Sequence, residues 1–544
     1  MSALDSSRRS WLFGGILLVA ALAAAGALAL RLTGSDSAVL STETTYTEGT
    51  AGTWQRINPL FASNNEVDED IARLVFASLV KLGPDGSVIP DLADLPQVSE
   101  DGLTYTFRLK AGLTWHDGQP VTSRDVAFTV AKVQEPDFRG DSLLADSWAG
   151  IQVETPDDRT VVFRLEQPYA PFLARNATIG ILPEHLLANV TAEQLYEGPF
   201  NAAPVGAGPY RLQSIDAREA VLTAFEDYHE GRPSIDRFVI RFYADYPSAL
   251  RAAASGEIDG LLFRNTPTEA QATEIQGLRG MEVTQLQRDA YTILYLNNDQ
   301  AYFQDPRVRR AVSLAIDRQA IAERVFFGAA TASTSAIAPG SWAYAEEYDH
   351  VEPDLEEAKR LLDEAGWAFN QANGVRIRGG EEFRVTIRTD NDPVRMAVAS
   401  EVATQLEQVG IRATVMSTTF SVLRRDFLQE RRYDAAITGW DQGPDPDPYS
   451  GWHSSQTGTA GLNIGNFADI VVDELIAKAR TTADVEVRKE QYRQFQEKWA
   501  ELAPGVVLAY PRYSYLHPEG LKGLEVSVLS TGADRFWNVA EWTR

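Results

Sequence analysis

The spacing of apolar positions between residues 383 and 415 predicts two strands with a helix between them. Phe383, Val385 and Ile387 alternate with polar residues, and residues 411–415 repeat this alternation, as half-buried strands do. The intervening segment carries apolar residues at helical spacing and ends at a glycine: Met396, Ala399, Ala403, Leu406 and then Gly410. A strand–helix–strand unit predicts parallel strands joined by a right-handed crossover. We therefore expect an α/β fold.

The sequence of this region also indicates where its helices begin and end. Asp305 followed by a proline predicts the start of a helix that runs to Phe327 and stops at Gly328. A capping box that begins at Asp354 predicts a second helix, which ends at Gly366. A further helix is expected near 421–429, and a strand over 433–438 follows it.

The segment 86–205 shows mostly strand and turn signals. Residues 103–109 alternate as a strand, residues 151–165 predict a hairpin, and Thr122 opens a short apolar helix. A glycine-rich stretch at 206–210 then begins another α/β region that continues to about residue 288.

The segment after the strand 433–438 is the main candidate site. In open α/β sheets, ligands bind at the carboxyl ends of the strands. The segment 439–453 combines aromatic rings with carboxylates, and its candidate binding residues are Trp440, Asp441, Asp445, Asp447, Tyr449 and Trp452. Such a set suits a small cationic or amphipathic ligand, whereas the alternative is a proline-stiffened surface loop around a packed tryptophan. Calcium ligation by Asp445 and Asp447 is disfavoured by the alternating prolines.

The amino terminus predicts export. Residues 11–30 are twenty consecutive residues without charge, which is long enough to span a bilayer. We favour an uncleaved anchor over a cleaved signal, with residues 1–32 as the anchor and 33–53 as a tether. Arg8 and Arg9 would stay cytoplasmic, so the rest of the chain would face outward.

The amino-acid composition excludes several kinds of site and several classes of function. The 544 residues include no cysteine, so disulfides, thiolate metal sites and a cysteine nucleophile are excluded. The 76 acidic residues against 50 basic ones give a net charge of −26, which argues against nucleic-acid binding. The six histidines do not form metal-binding motifs, and no GxSxG segment supports a serine hydrolase. We expect no metal, no cofactor and no catalysis.

Motifs spread along the chain carry a family resemblance. They are Asn58–Phe61, Leu103–Phe128, Gly206–Tyr210, Tyr228–Pro233, Gly256–Asp259, Phe303–Asp317, Ala358–Gly366 and Tyr433–Trp440. In this order they resemble the family-5 extracellular solute-binding proteins of ABC transporters, the dipeptide, oligopeptide and nickel-binding group. The resemblance covers roughly residues 54–515.

The resemblance implies a periplasmic-binding-protein-like fold. Two lobes would enclose a ligand cleft and be connected by hinge strands. The expected division is 54–85, 206–288 and 505–544 as domain I of the first lobe, 86–205 as its extra domain II, and 289–504 as domain III, the second lobe.

The resemblance also implies function. The chain would be an extracytoplasmic receptor that captures a solute, with a peptide favoured, and delivers it to ABC permease subunits; we expect a monomer. In peptide binders of this group an aspartate shortly after the Gly-Trp pair grips the peptide amino terminus. Gly443 stands at the ungapped position here, so Asp441 or Asp445 would have to substitute. Asn463 and Trp342 complete the expected ligand-binding residues.

Three alternatives remain open at this point. An oligosaccharide receptor of the same family would depend on Trp440 more than on a carboxylate. A hydrolase built on this fold would show turnover. A sensory or chaperone-like module would act without a permease.

Overall fold

The computed structural model describes residues 43–544, and from Thr45 onward they form one compact unit. The strands are β1 Thr45–Ala51, β2 Val80–Leu82, β3 Val88–Pro90, β4 Gln97–Val98, β5 Thr104–Arg108, β6 Gln152–Asp157, β7 Thr160–Arg164, β8 Tyr210–Ile215, β9 Glu219–Ala224, β10 Arg237–Tyr243, β11 Gly260–Phe263, β12 Met281–Gln287, β13 Ala290–Leu296, β14 Ala330–Ala332, β15 Ala368–Asn370, β16 Val375–Arg378, β17 Glu381–Glu382, β18 Arg384–Asp390, β19 Arg412–Thr418, β20 Ala435–Asp441 and β21 Gly505–Pro518.

The helices alternate with these strands. They are α1 Glu66–Val75, α2 Ser123–Val133, α3 Ser142–Trp148, α4 Phe172–Arg175, α5 Glu184–Leu187, α6 Ala192–Glu197, α7 Tyr246–Ala254, α8 Glu269–Gln276, α9 Pro306–Leu314, α10 Arg318–Arg324, α11 Leu355–Glu364, α12 Pro393–Glu407, α13 Phe420–Val422 (continued by a π-helical turn, Leu423–Leu428), α14 Tyr449–Trp452, α15 Ile470–Thr481 and α16 Val485–Leu502.

One mixed sheet organises the unit. Its strand order is β19-β18-β20-β13-β21-β11-β1-β10-β9-β8, and β12 and β14 also pair with β21. The first half of β21 pairs with β13 and β14, and its second half pairs with β11 and β12. The chain also passes from β12 to β13 through Arg288 and Asp289 alone. Two strand sets are thus linked by β21 and by this short connection.

The predicted strand–helix–strand unit is confirmed. β18 and β19 pair in parallel over seven residues each, and α12 connects them. The predicted hairpin is also present, because β6 and β7 pair antiparallel within a separate four-stranded sheet, β4-β5-β7-β6.

Three local predictions need correction. The helix expected to run from Asp305 to Phe327 is two helices, because the Asp317 side chain accepts the N–H of Ala320 at 2.9 Å and caps a new start. The expected loop begins later, since residues 439–441 extend β20. The tether expected over 33–53 ends earlier, because β1 lies between β10 and β11 in the main sheet. The anchor over 1–32 lies outside the described residues.

Buried charges tie the two ends of the described chain together. Arg535 donates to Glu48 of β1 at 2.9 Å and to Asp70 of α1 at 2.8 Å, and Arg264 donates to Asp70 at 2.6 Å. The Tyr515 hydroxyl donates to the second oxygen of Glu48 at 2.9 Å. All these side chains are buried, so each charge depends on its partners rather than on water.

Across residues 43–544, no helix combines the length and the apolar character that crossing a membrane requires.

Candidate functional site

Strand β20 carries the candidate segment to the centre of the sheet. Its last residues, Gly439 to Asp441, pair antiparallel with β13 from Thr292 back to Ala290. The chain then leaves the sheet, and the N–H of Gln442 donates to the carbonyl of Asp289 at 3.0 Å. The irregular part is therefore residues 442–448, before α14 begins.

Asp445 forms a buried ion pair with Arg488 of α16. The two Arg488 nitrogens Nη2 and Nη1 lie 2.8 and 3.2 Å from the two Asp445 carboxylate oxygens. Arg488 Nη2 also donates to the Tyr492 hydroxyl at 2.9 Å. Burial opposes the arginine charge, but Asp445 outweighs it and raises the pKa of Arg488 above its usual value. The carboxylate that looked available to a ligand already has a charged partner.

Asp447 and Tyr449 are engaged by a second arginine. Arg480 of α15 lies 3.5 Å from Asp447, and its guanidinium stacks over the Tyr449 ring at 4.4 Å. Burial raises the pKa of Asp447, and Arg480 offsets only part of that rise. The Arg480 carbonyl accepts the N–H of Ala170 at 2.8 Å, so these contacts join the segment 86–205 to the α15–α16 pair.

Trp452 and Asn463, which were expected to contact the ligand, are buried inside the protein. The Trp452 ring stacks on Tyr295 at 5.6 Å and meets Trp499 edge-on at 4.5 Å, leaving it 1% exposed. The Asn463 amide donates to the carbonyl of Phe467 at 2.9 Å and accepts the N–H of the same residue at 3.2 Å. Both side chains have structural partners and no access to solute here.

The remaining expected residues are partly accessible. Trp440 is half-buried against Gly451, whereas the Asp441 side chain is 61% exposed, 3.9 Å from Arg288. Trp342 is half-buried, and the Arg488 guanidinium lies 5.3 Å from the centre of its ring. Of the six residues expected in 439–453, Trp440 and Asp441 at the end of β20 therefore keep exposed surface, and the ionic contact of Asp441 with Arg288 is long.

A cavity of about 230 Å³ brings Trp342 and Asp445 together. Tyr105 and Arg488 also line it, and burial raises the pKa of Tyr105 to about 12 although the Arg488 charge opposes this. The other lining residues are mainly apolar: Gly86, Ser87, Val88, Leu95, Pro96, Val98, Ala170, Leu173, Ala174, Ala483 and Val485. No local pattern in the sequence indicates Arg488 as a partner of Asp445, because it lies 43 residues further along the chain in an ordinary polar helix.

A larger cavity of about 390 Å³ is lined by Arg175 and Pro444, among other residues. Glu69 and Arg73 of α1 line both this cavity and an adjoining one of about 160 Å³. Arg175 donates from Nη2 to the carbonyl of Gln442 at 2.9 Å, so it touches the candidate segment directly. The volume of the larger cavity falls within the range of about 300–1,000 Å³ that is typical of small-molecule sites.

Asp289 lies buried at the connection between β12 and β13. Its Oδ1 has no hydrogen-bond partner among the described residues. Burial raises its pKa well above the usual value, Asp441 and Asp445 raise it further, and Arg175 opposes them. The charged form of this carboxyl is therefore disfavoured at this connection.

Asp91, His229 and Glu230 could in principle hold a cation, since their ligand atoms lie within 4.8 Å of one another. However, Lys81 already binds Glu230 at 2.5 Å, and Asp91 accepts the N–H of Ser78 at 2.8 Å. This arrangement accounts for both carboxylates without a metal.

The chain matches the model of a known protein family. The family model described as "Bacterial extracellular solute-binding proteins, family 5 Middle" matches residues 87–461. Oligopeptide-binding protein AppA of Bacillus subtilis is 30% identical over 484 residues, which cover 87% of this chain and 88% of that protein. The dipeptide-binding protein of Escherichia coli is 27% identical over 90% of this chain and 93% of that protein.

Solved structures agree in fold. Bacillus subtilis AppA in complex with a nonapeptide has a TM-score of 0.62 at 28% identity, covering 92% of this chain and 98% of that one. NikZ from Campylobacter jejuni in complex with Ni(L-His) has a TM-score of 0.65 at 26% identity, covering 92% and 100%. These similarities confirm the expected periplasmic-binding-protein-like α/β fold.

Proposed function

The chain belongs to the family-5 bacterial extracellular solute-binding proteins, and on that basis we propose that it is a peptide receptor of an ABC importer. Its similarity to an oligopeptide-binding and a dipeptide-binding protein along most of the chain supports peptides over sugars. It captures the solute without altering it and passes it to the permease.

The main structural support for this proposal is a cavity between distant segments of the chain. The 230 Å³ cavity is lined by residues 86–105 and 170–174 on one side and by residues 342, 445 and 483–488 on the other. These are parts of the expected first and second lobes, so relative motion of the lobes would open and close the cavity. Affinity would come from enclosure of the solute and its desolvation rather than from one ion pair.

The proposed ligand contacts are residues that line this cavity or keep exposed surface. Trp342, Tyr105 and the apolar residues around them form walls for side chains, and the Asp445–Arg488 pair supplies fixed polar edges. Trp440 and Asp441 remain proposed contacts at the end of β20. The domain boundaries remain predictions.

The family's extracytoplasmic setting fits the amino-terminal segment. We place the receptor on the outer side of the cell membrane, tethered by residues 11–30 and working as a monomer with permease subunits as partners.

Binding of defined solutes to the purified full chain tests the proposal. A solute that binds only the folded protein raises its melting temperature by mass action, so we expect shifts with a peptide panel. Oligosaccharides and a nickel–histidine chelate serve as competing classes, and a shift with either but with no peptide would contradict the peptide assignment. Peptides recovered unchanged after incubation would support capture without chemistry, whereas cleavage would favour a hydrolase.

A variant pair then locates the site. Trp342→Ala should weaken peptide binding, because it removes one wall of the 230 Å³ cavity. Trp54→Ala is the matched control, since this half-buried tryptophan donates to the carbonyl of Asp216 at 2.9 Å and does not line that cavity. Equal losses in both variants would argue against this location.

A further inference from the structure

The 390 Å³ cavity is lined by one acidic and one basic side chain that have no ion-pair partner among the described residues. Five charged side chains line it. Arg73 and Asp534 form an ion pair at 2.6 Å, and Asp141 accepts the N–H of Leu143 at the start of α3 at 2.9 Å. Glu69 and Arg175 have no ion-pair partner in the described part of the chain.

Glu69 faces this cavity from α1 and accepts no side-chain hydrogen bond from any residue in 43–544. Its helix neighbour Asp70 is turned the opposite way, into the buried network with Arg535. Burial, and then the negative charge of Asp70, raise the pKa of Glu69 to about 8. The other charges that act on Glu69 are Arg264, Asp534 and Arg73, and the two arginines do not offset the rise.

Arg175 faces the same cavity from the end of α4. It is fastened by Nη2 to the carbonyls of Gln442 and Asp445 at 2.9 and 3.5 Å. Its Nε is buried and has no acceptor among the described residues. A buried guanidinium donor without an acceptor is costly, and a carboxylate is the group that best fits its planar geometry.

We propose that this cavity takes a zwitterionic solute, with its ammonium group on Glu69 and its carboxylate on Arg175, and that Glu69 releases a proton as the solute binds. The inference rests on the proposed function and assigns the charged ends of the peptide to residues outside the segment 439–453. The ammonium arrives already protonated, so the proton leaves the Glu69 carboxyl for the buffer and the carboxylate that remains balances the ammonium. A short peptide with free ends supplies both groups.

Calorimetric titration of the full chain with a free tripeptide at pH 6.5 tests the proton release. At this pH the peptide amine, with an ordinary pKa of about 7.7–8.0, is already charged. Titrations in buffers of different ionisation enthalpy count the protons, and we expect nearly one released per peptide. The amino-acetylated tripeptide should bind more weakly and release none. Release of no proton by the free tripeptide, or the same release with the acetylated one, would overturn the role of Glu69.

Two variants test the assignment of each end. Glu69→Gln keeps the shape and should lose about ten- to hundredfold in affinity together with the proton release. Arg175→Gln should lose a similar factor for the free tripeptide and little for its carboxamide. Glu66→Gln is the matched control, because Glu66 lies on the same helix with its side chain 58% exposed and is not among the residues lining this cavity.

The outcomes separate this inference from the proposed function. If no peptide binds the unaltered chain, peptide capture itself fails. Peptides could also bind both variants, Glu69→Gln and Arg175→Gln, with the affinity and the number of released protons measured for the unaltered chain. In that case peptide capture stands and the charge assignment fails. Unchanged melting temperatures of the two variants would show that a lost affinity does not arise from unfolding.

Discussion

Two acidic regions of the molecule face the space between distant chain segments, and they differ in how their charges are balanced. In residues 441–447, Asp445 and Asp447 are paired with Arg488 and Arg480 from the α15–α16 pair. On α1, Glu69 has no such partner although burial raises its pKa to about 8. A carboxylate paired with an arginine stabilises the structure, whereas an unpaired carboxylate is available to an incoming cation. The presence or absence of an ion-pair partner therefore distinguishes structural from binding residues better than residue type does.

The largest expected effect is the loss of the Asp445–Arg488 pair. Asp445→Ala leaves the Arg488 charge buried without compensation, and we expect a loss of about 3–5 kcal/mol in the free energy of unfolding. Urea unfolding of the full chain measures it. A loss below about 1 kcal/mol would mean that Asp445 is not structural, and the contrast with Glu69 would disappear.

A smaller loss is expected at Asn463. Asn463→Ala removes the amide that bonds to the carbonyls of His453 and Phe467, and these buried groups are left without partners. We expect about 1–3 kcal/mol of destabilisation with peptide affinity preserved. Weaker peptide binding in a variant that is still fully folded would instead return Asn463 to the binding residues.

The pH dependence of stability probes Glu69. Because its pKa in the folded protein is about 8 against an ordinary 4.5, the folded state holds more protons than the unfolded state between these values. Stability therefore falls as pH rises through this interval, by up to about 1.4 kcal/mol per pH unit. Glu69→Gln removes this contribution, so its stability relative to the unaltered chain should grow between pH 6 and pH 8. Parallel unfolding curves at both pH values would contradict the unpaired state of Glu69.

The smallest effect is expected at Asp441. Its side chain is 61% exposed and lies 3.9 Å from Arg288, so Asp441→Asn should change the free energy of unfolding by no more than about 0.5 kcal/mol. A reduced affinity in this stable variant would identify Asp441 as a ligand contact, and an unchanged affinity would leave the charged end of the solute to Glu69.

The secondary structure was largely predictable because its signals are local. The alternation at 383–387 and 411–415 corresponds to the parallel strands β18 and β19, and the Asp354 side chain caps the start of α11. The break at Asp317 was missed because apolar spacing continues across it, although an aspartate able to cap a helix was present.

The candidate site was less predictable because its side chains contact residues that lie far away in the sequence. Nothing near Asp445 indicates an arginine 43 residues later, and nothing near Trp452 indicates that Tyr295 and Trp499 cover it. Glu69 belongs to an acidic run that reads as a solvated helix start, yet Asp70 beside it is buried and paired. Only the tertiary arrangement shows which member of that run is unbalanced.

The contact between Arg535 and Glu48 limits how early during synthesis the buried charge of Glu48 can be neutralised. The two residues are 487 positions apart, and β1 holds Glu48 near the middle of the sheet. Until the ribosome has added residue 535, that carboxylate has no arginine to neutralise it, and Asp70 lacks one of its two arginines. The ion pair that neutralises Glu48 can therefore form only after residue 535 has been added.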